Sequence, residues 1–325
     1  MKRILVSGAS GIVGYGILRS LAQVDDSCFL VGTSIYEDSV APAFCDHFEL
    51  TPPTQDSKYL EWLLSTLRRN RIDMLIPGID VDMHFWLKHI SEIEATGALP
   101  LLNNPDLIML CEDKWEFYQR IRQEGVRYLI ESSLEDGYST LAKCFGLPFL
   151  LKPRRGFGSK GIVRVASKKQ FDELKPRIGD FLMAQPIVGH DDEEYTTSVF
   201  CDGEGGYFAC MTMRRKLSPE GYTEKAEVSS SEEFLPAIEK LCQILNPLGP
   251  TNFQFRLCDD GPKLLEINPR ISSSTSIRTA FGYNESEMAL NFFLHRKTPV
   301  QPVVRQGRAV RFTDDKIFYE NGVHL

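Results

Sequence analysis

Two short stretches carry residue types and spacings that suit phosphate chemistry. In LLKPRRGFGSKGIVRV an apolar strand delivers Lys152, and Gly156, Gly158 and Gly161 then interrupt a basic loop before another strand begins. Glycines let backbone N–H groups approach phosphate oxygens, and a lysine supplies a mobile positive charge. This is not the P-loop arrangement, because the lysine precedes the glycines and a strand follows instead of a helix. The other reading is a basic hairpin tip. In KLLEINPR, Glu266 and Asn268 stand two apart on a strand, so both face the same way. Glu266 sits among Leu264, Leu265 and Ile267, where an unpaired carboxylate needs a cation nearby. Magnesium suits such a position, since it takes hard oxygen ligands and leaves coordination for phosphates. Gln254 on the preceding strand offers a third oxygen, and Arg270 beyond Asn268 can neutralise a phosphoryl or acyl-phosphate oxygen. The alternative is a buried Glu266–Arg270 ion pair. Between the two stretches, AQPIVGHDDEEYTTSVF provides an apolar edge near Gln185-Pro186-Ile187 that suits an adenine. Glu194 there is placed for ribose hydroxyls, or is one acid of a solvated turn.

The elements that must hold these residues follow from periodicity. Residues 1–104 read as an α/β unit: RILVSG, CFLVGT and DMLIPG as strands, GYGILRSLAQ and SKYLEWLLSTLRRNR as helices. Strands alternating with helices imply right-handed crossovers and a parallel sheet. Asn104-Pro105 reads as an N-cap with proline at the first helical position, and helical periodicity runs on through DKWEFYQRIRQ to Gly125. Short strands follow in GLPFLLKP, GIVRV and DFLMAQPIV, with a helix in KKQFDELKPRI. Beyond Glu194 long strands dominate, with helices near 231–245 and 284–295 and hairpin turn chemistry at Asp259-Asp260-Gly261. The expected division is 1–104, 105–185 with the linking helix and the glycine loop as a lid, and 186–325 with the metal site.

A third glycine stretch, Gly8-Ala9-Ser10-Gly11-Ile12-Val13-Gly14, has the spacing of a dinucleotide turn. A nicotinamide enzyme should also carry an acid at the end of the second strand, yet CFLVGTS holds none before Glu37. A short-chain dehydrogenase should carry Tyr-xxx-Lys, and no tyrosine here has a lysine four residues later. The stretch therefore reads as the first turn of a substrate-side domain. Ser10, Gly11, Asp80 and Asp82 lie at strand ends where α/β sheets bind ligands, with loop packing as the other explanation.

In order, DK at 113–114, KPxxGxGSKGI at 152–162, GxxxxEY at 189–195, NxQF at 252–255 and EINPRISSS at 266–274 resemble the ATP-grasp superfamily. They are most similar to its carbamoyl-phosphate-synthase-like branch, in a single ATP-grasp unit. The resemblance covers about 105–300 and implies an α/β domain followed by a two-subdomain ATP-grasp fold. It implies ATP with Mg²⁺ (or Mn²⁺) as cofactors, with Lys114 and Lys152 on phosphates and Gly156, Gly158, Ser159, Lys160 and Gly161 closing over them. Gln185 and Ile187 would meet the adenine, Glu194 the ribose, and Gln254, Glu266 and Asn268 the metal. Arg270, Lys152 and, on a strand that often carries a phosphate- or substrate-facing base, Arg215 would act in catalysis. Proline after Gln185 departs from the family pattern, as does the longer segment between Gly189 and Glu194. Small-molecule carboxylate and amine (or thiol) substrates are implied, joined through an acyl phosphate, with a non-catalytic ATP-binding module as the alternative. The basic Arg154, Arg155 and Lys160 suit closure over the phosphates.

Composition narrows the remaining classes. The net charge of −7 over 325 residues argues against nucleic acid or an anionic membrane as partner. No apolar run approaches the roughly 20 residues that span a bilayer. The eight cysteines are dispersed without a CxxC pair, which implies reduced core thiols and a cytoplasmic setting. A homodimer is compatible with all of this.

Overall fold

The computed structural model describes residues 1–24, 28–156 and 160–319. The first unit comprises β1 (Lys2–Val6), α1 (Ile12–Leu21), β2 (Cys28–Ser34), β3 (His47–Leu50), α2 (Tyr59–Asn70), β4 (Met74–Ile76), α3 (Asp80–Lys88), α4 (Ile90–Glu94) and β5 (Leu99–Pro100). Its strands form one parallel sheet in the order β3-β2-β1-β4-β5. Ile4, Leu5 and Val6 are fully buried, as expected of a central parallel strand covered on both faces. α2 buries Tyr59, Leu63 and Leu67 at four-residue spacing against that sheet. The alternation expected from sequence is present, with β3, β5 and α3 added where short or polar segments hid them.

The opening glycines serve packing. A Cβ on Gly14 would stand 2.3 Å from the Gly8 carbonyl oxygen, and one on Gly78 would stand 2.1 Å from the Ser7 carbonyl oxygen. The turn after β1, the start of α1 and the turn after β4 are thus in backbone contact. Gly14→Ala is expected to destabilise the protein by about 3 kcal/mol, since backbone on both sides must move. Urea unfolding midpoints check this, and an unchanged midpoint would refute it.

The chain continues through α5 (Pro105–Glu112), α6 (Lys114–Arg122) and α7 (Tyr138–Phe145). A three-stranded sheet follows, β6 (Phe149–Pro153), β7 (Val163–Val165), α8 (Lys168–Leu174) and β8 (Leu182–Pro186), ordered β7-β6-β8. Asn104 caps α5 by accepting from the Asp106 amide, with Pro105 next, as expected. The single helix expected up to Gly125 is two helices. Asp113 is extended, at φ −121°, and its side chain accepts from the Trp115 and Glu116 amides, so it caps a new helix. Leu107, Ile121, Val126 and Tyr128 pack into the core of the third sheet, whereas the three-stranded sheet has its own small core around Phe149, Leu151 and Phe171.

The third sheet contains β9 (Glu194–Asp202), β10 (Tyr207–Leu217), β11 (Thr223–Ser229), β12 (Leu248–Cys258), β13 (Gly261–Asn268) and β14 (Arg308–Val310). Its order is β13-β12-β9-β10-β11-β14, and its pairings are antiparallel. Helices α9 (Leu235–Leu245), α10 (Thr275–Ala280) and α11 (Glu285–Ala289) complete it. One face carries Tyr195, Val199, Phe253, Phe255 and Ile267 onto α9 and the 107–128 segment. The other carries Glu194, Gln254 and Glu266, because side chains alternate along each strand. The first sheet shares a core with this unit, in which Ile17 and Leu18 of α1 join Met211, Met213 and Ile277. No disulfide forms among the described residues, and only Cys201 and Cys242 of the eight cysteines are buried, so the expectation of core thiols holds for those two.

Candidate nucleotide and metal site

A pocket lies between the three-stranded and six-stranded sheets. Leu150 and Lys152 of β6 and Gln185 and Pro186 of β8 form one wall, and Glu194, Gln254 and Glu266 face them from the large sheet. Lys152 is only 8% exposed. Its side chain makes no hydrogen bond or ion pair among the described residues, although Glu266 lies within electrostatic reach. Burial, aided by the neighbouring Lys114 charge, lowers its pKa to about 8, against the pull of Glu266. Glu266 is half-buried, and its side chain also lacks a hydrogen bond or ion pair among the described residues. On β12, Gln254 pairs directly with Glu266, and the register then slips so that Phe255 faces Leu264. That bulge sends two consecutive residues, Leu265 and Glu266, to the pocket wall.

The start of α6 anchors the glycine loop. Lys114 donates to the Gly156 carbonyl at 2.7 Å, and its own amide donates to the Arg154 carbonyl at 2.9 Å. Arg154 and Arg155 both pair with Asp113, at 2.8 and 2.9 Å. The expectation that these arginines serve the phosphates is therefore corrected: the carboxylate that caps α6 holds them at the loop base. Arg154 and Asp113 are both largely buried, and the Arg154 pairing and backbone amides outweigh burial to hold the Asp113 carboxyl below its usual range. Gly156 and Lys160 line the pocket, while Gly161 does not. Gly158 and Ser159 lie outside the described residues.

At the other end, Gln185 donates to the Ser132 hydroxyl at 2.7 Å. Pro186 and Val188 line the pocket where Ile187 was expected. Glu194 is gripped from both neighbouring strands. Arg215 donates to Oε1 from Nε and Nη2, at 3.1 and 2.9 Å, and Arg256 donates to Oε2 at 3.2 Å. Arg215 also donates to Gln254 Oε1 at 2.7 Å. Its guanidinium is therefore engaged by protein carboxylate and amide oxygens, where the expectation was a phosphate- or substrate-facing base. Sequence reasoning missed Arg256, although strand alternation from Gln254 puts it on the same face.

Arg270 also turns away from the pocket. Asp80, at the start of α3, binds its guanidinium at 2.6 and 3.1 Å, and Asn268 Oδ1 accepts from it at 3.3 Å. The Glu266–Arg270 pair weighed from sequence does not form; Asp80 takes that place across 190 residues of chain. Burial opposes both charges, but each outweighs it for the other, so the Arg270 pKa lies above and the Asp80 pKa below its usual value. Asp82 is not open to a ligand. It is buried and accepts from Thr54 at 2.6 Å and Tyr59 at 3.0 Å, and burial pushes its carboxyl above the usual range. Ser10 bonds to Ser34 at the end of β2.

Among the described residues no group of three or more His, Cys, Asp or Glu side chains suits a metal. The site instead offers one carboxylate, Glu266, and the amide oxygens of Gln254 and Asn268. Each amide oxygen spends one acceptor site on an arginine and keeps one. Hard oxygens with an incomplete shell fit magnesium held mainly by phosphates.

Comparison with known proteins shows what the chain is similar to. Residues 183–315 match the family model described as ATP-grasp in the biosynthetic pathway with Ter operon. Two solved structures share the fold. One is N5-carboxyaminoimidazole synthetase from Staphylococcus aureus complexed with ADP, with TM-score 0.71 and 17% identity over 93% of this chain and 80% of that one. The other is the biotin carboxylase β,γ-ATP complex from Campylobacter jejuni, with TM-score 0.71 and 16% identity over 94% and 74%. The fold is that of the ATP-grasp enzymes. Within it, the chain resembles the carbamoyl-phosphate-synthase-like branch: it is 22% identical over 320 residues to the carbamoyl phosphate synthase large chain of Methanosarcina acetivorans. That alignment covers 87% of this chain and 29% of the relative, so the chain spans less than a third of such proteins. Among the described residues no helix is long and apolar enough to cross a membrane.

Proposed function

We propose that the chain is an ATP- and magnesium-dependent ligase that joins a small-molecule carboxylate to an amine or thiol and releases ADP and phosphate. The observation that carries this reading is a buried lysine, Lys152, facing a carboxylate, Glu266, across a pocket lined by Lys114, Gly156 and Lys160, with neither side chain in a hydrogen bond or ion pair among the described residues. Opposite charges held in a pocket without direct partners among the described residues are costly unless a ligand of both kinds completes them. A nucleotide phosphate with its cation does so.

In the proposed reaction a substrate carboxylate oxygen attacks the γ-phosphorus, and the bond from that phosphorus to the β–γ bridging oxygen breaks. The amine nitrogen then attacks the resulting acyl carbon; the carbon–oxygen bond to phosphate breaks, and the nitrogen loses a proton. When bound, magnesium would supply charge neutralisation at the phosphate oxygens. Lys152 and Lys114 would hold phosphate oxygens, and Gln254, Glu266 and Asn268 would orient the cation. Gln185, with Pro186 and Val188, would meet the base, and Glu194 the sugar. Arg270, held by Asp80, would stand at the substrate side, toward the first sheet. The 156–161 loop would cover the site and exclude water from a hydrolysable acyl phosphate.

Phosphate release with Mg-ATP across a matrix of carboxylates and amines tests this reading. Release that requires one of each supports it; absence of release for every pair despite nucleotide binding contradicts it. A pH profile offers a second check. Phosphates favour charged Lys152, whose pKa in the free protein is about 8. Bound nucleotide raises that pKa, so binding takes up a proton above pH 8. The ADP dissociation constant is therefore expected to be flat below about pH 7 and to rise by about tenfold per pH unit above 8. Calorimetry on wild type and Lys152→Met checks it, since the variant should be weak and lack that rise.

A further inference from the structure

Arg215 lies outside the pocket wall, yet it touches both ends of the site. It is 6% exposed, and on β10 it stands directly across from Glu194 on β9. One fork of nitrogens serves two strands: Nε and Nη2 take Glu194 Oε1, and Nη2 also takes Gln254 Oε1. The count of acceptor sites shows what this does. An ionised carboxylate has about four such sites. Arg215 fills two on Glu194 and Arg256 fills one, which leaves a single site on Oε2. Gln254 Oε1 has two sites and spends one on Arg215, so one remains. The same guanidinium thus fixes which lone pair is open at each end.

We propose that Arg215 is a positioning residue that couples the two ends of the pocket, so that a sugar engaging Glu194 strengthens cation binding at Gln254. This rests on the nucleotide reading above. A sugar hydroxyl on Oε2 draws the Glu194 carboxylate toward the pocket. Arg215 follows through its paired bonds, and Gln254 is reoriented through the shared nitrogen. By linkage the effect is reciprocal.

Adenosine separates this coupling from direct contact, because it reaches the sugar end and has no phosphate to touch a metal. Mn²⁺ binding is read by electron paramagnetic resonance, with and without saturating adenosine. In wild type, adenosine is expected to tighten Mn²⁺ by about fivefold. In Arg215→Met that factor falls to one, and in Arg215→Lys, which keeps charge but loses the fork, it is intermediate. If the methionine variant does not fold, the lysine variant carries the test. A merely structural arginine would lower the unfolding midpoint and leave the factor unchanged. A factor of one in wild type that binds Mg-ADP, or an unchanged factor in either folded variant, overturns the coupling alone. Wild type that binds neither Mg-ADP nor adenosine overturns the nucleotide reading and the coupling with it.

Discussion

Glu266→Ala is expected to lower magnesium-dependent ADP formation by about a hundredfold to a thousandfold while leaving the fold intact. The size follows from what the residue would do: it is the one carboxylate among the three candidate cation ligands, and the two amide oxygens beside it already share their lone pairs with arginines. The intact fold follows from what it does not do. Its side chain is half-buried and makes no hydrogen bond or ion pair among the described residues, so its loss leaves no orphaned partner. The change also withdraws the charge that supports the Lys152 proton, and the Lys152 pKa should move further below 8. ADP formation by a coupled assay and the unfolding midpoint measure the two halves separately. Undiminished turnover would show the metal site to be misassigned.

The largest effect on stability is expected at Arg278, on the same face of the sheet but beneath the site. Arg278 and Glu285 are fully buried and pair at 3.3 Å. The guanidinium also donates to Ser272 at 2.7 Å, Thr196 at 2.9 Å and Asn252 at 2.7 Å. Burial depresses its pKa even so, with Glu285 opposing. Arg278→Met should cost about 3–5 kcal/mol, because it strands a buried carboxylate and three polar groups. Arg278→Met with Glu285→Gln should recover part of that loss, since the uncompensated charge goes with it. Urea unfolding measures both. A single-variant loss below about 1 kcal/mol would show that water reaches Glu285.

How much of this was legible in the sequence depended on range. Lys152, the glycine loop and the Gln254–Glu266–Asn268 set follow from strand periodicity and a hairpin turn, both local signals. The Asn104 cap is equally local. The break at Asp113 carried the local signal of a capping acid, but helical periodicity on both sides masked it. The bulge that presents Leu265 beside Glu266 needs the partner strand's register, which no single strand encodes. Past the end of β8, Pro186 and Val188 stand on the wall where the resemblance implied Ile187. The pairing of Arg270 with Asp80 spans 190 residues and exists only because the first sheet docks its strand ends on the site. The opening glycines had the right spacing for a nucleotide turn, and only the 2.3 Å approach of Gly14 to Gly8 identifies them as packing.

The central claim is that the pocket between Lys152 and Glu266 holds a magnesium nucleotide. Thermal unfolding of wild type and Lys152→Met with Mg-ADP, and separately with NADPH, tests it most directly. Mg-ADP is expected to raise the midpoint of wild type and to raise that of the variant much less, with NADPH inert on both, since ligand that binds only the folded state stabilises it. Stabilisation by NADPH and none by Mg-ADP would contradict it.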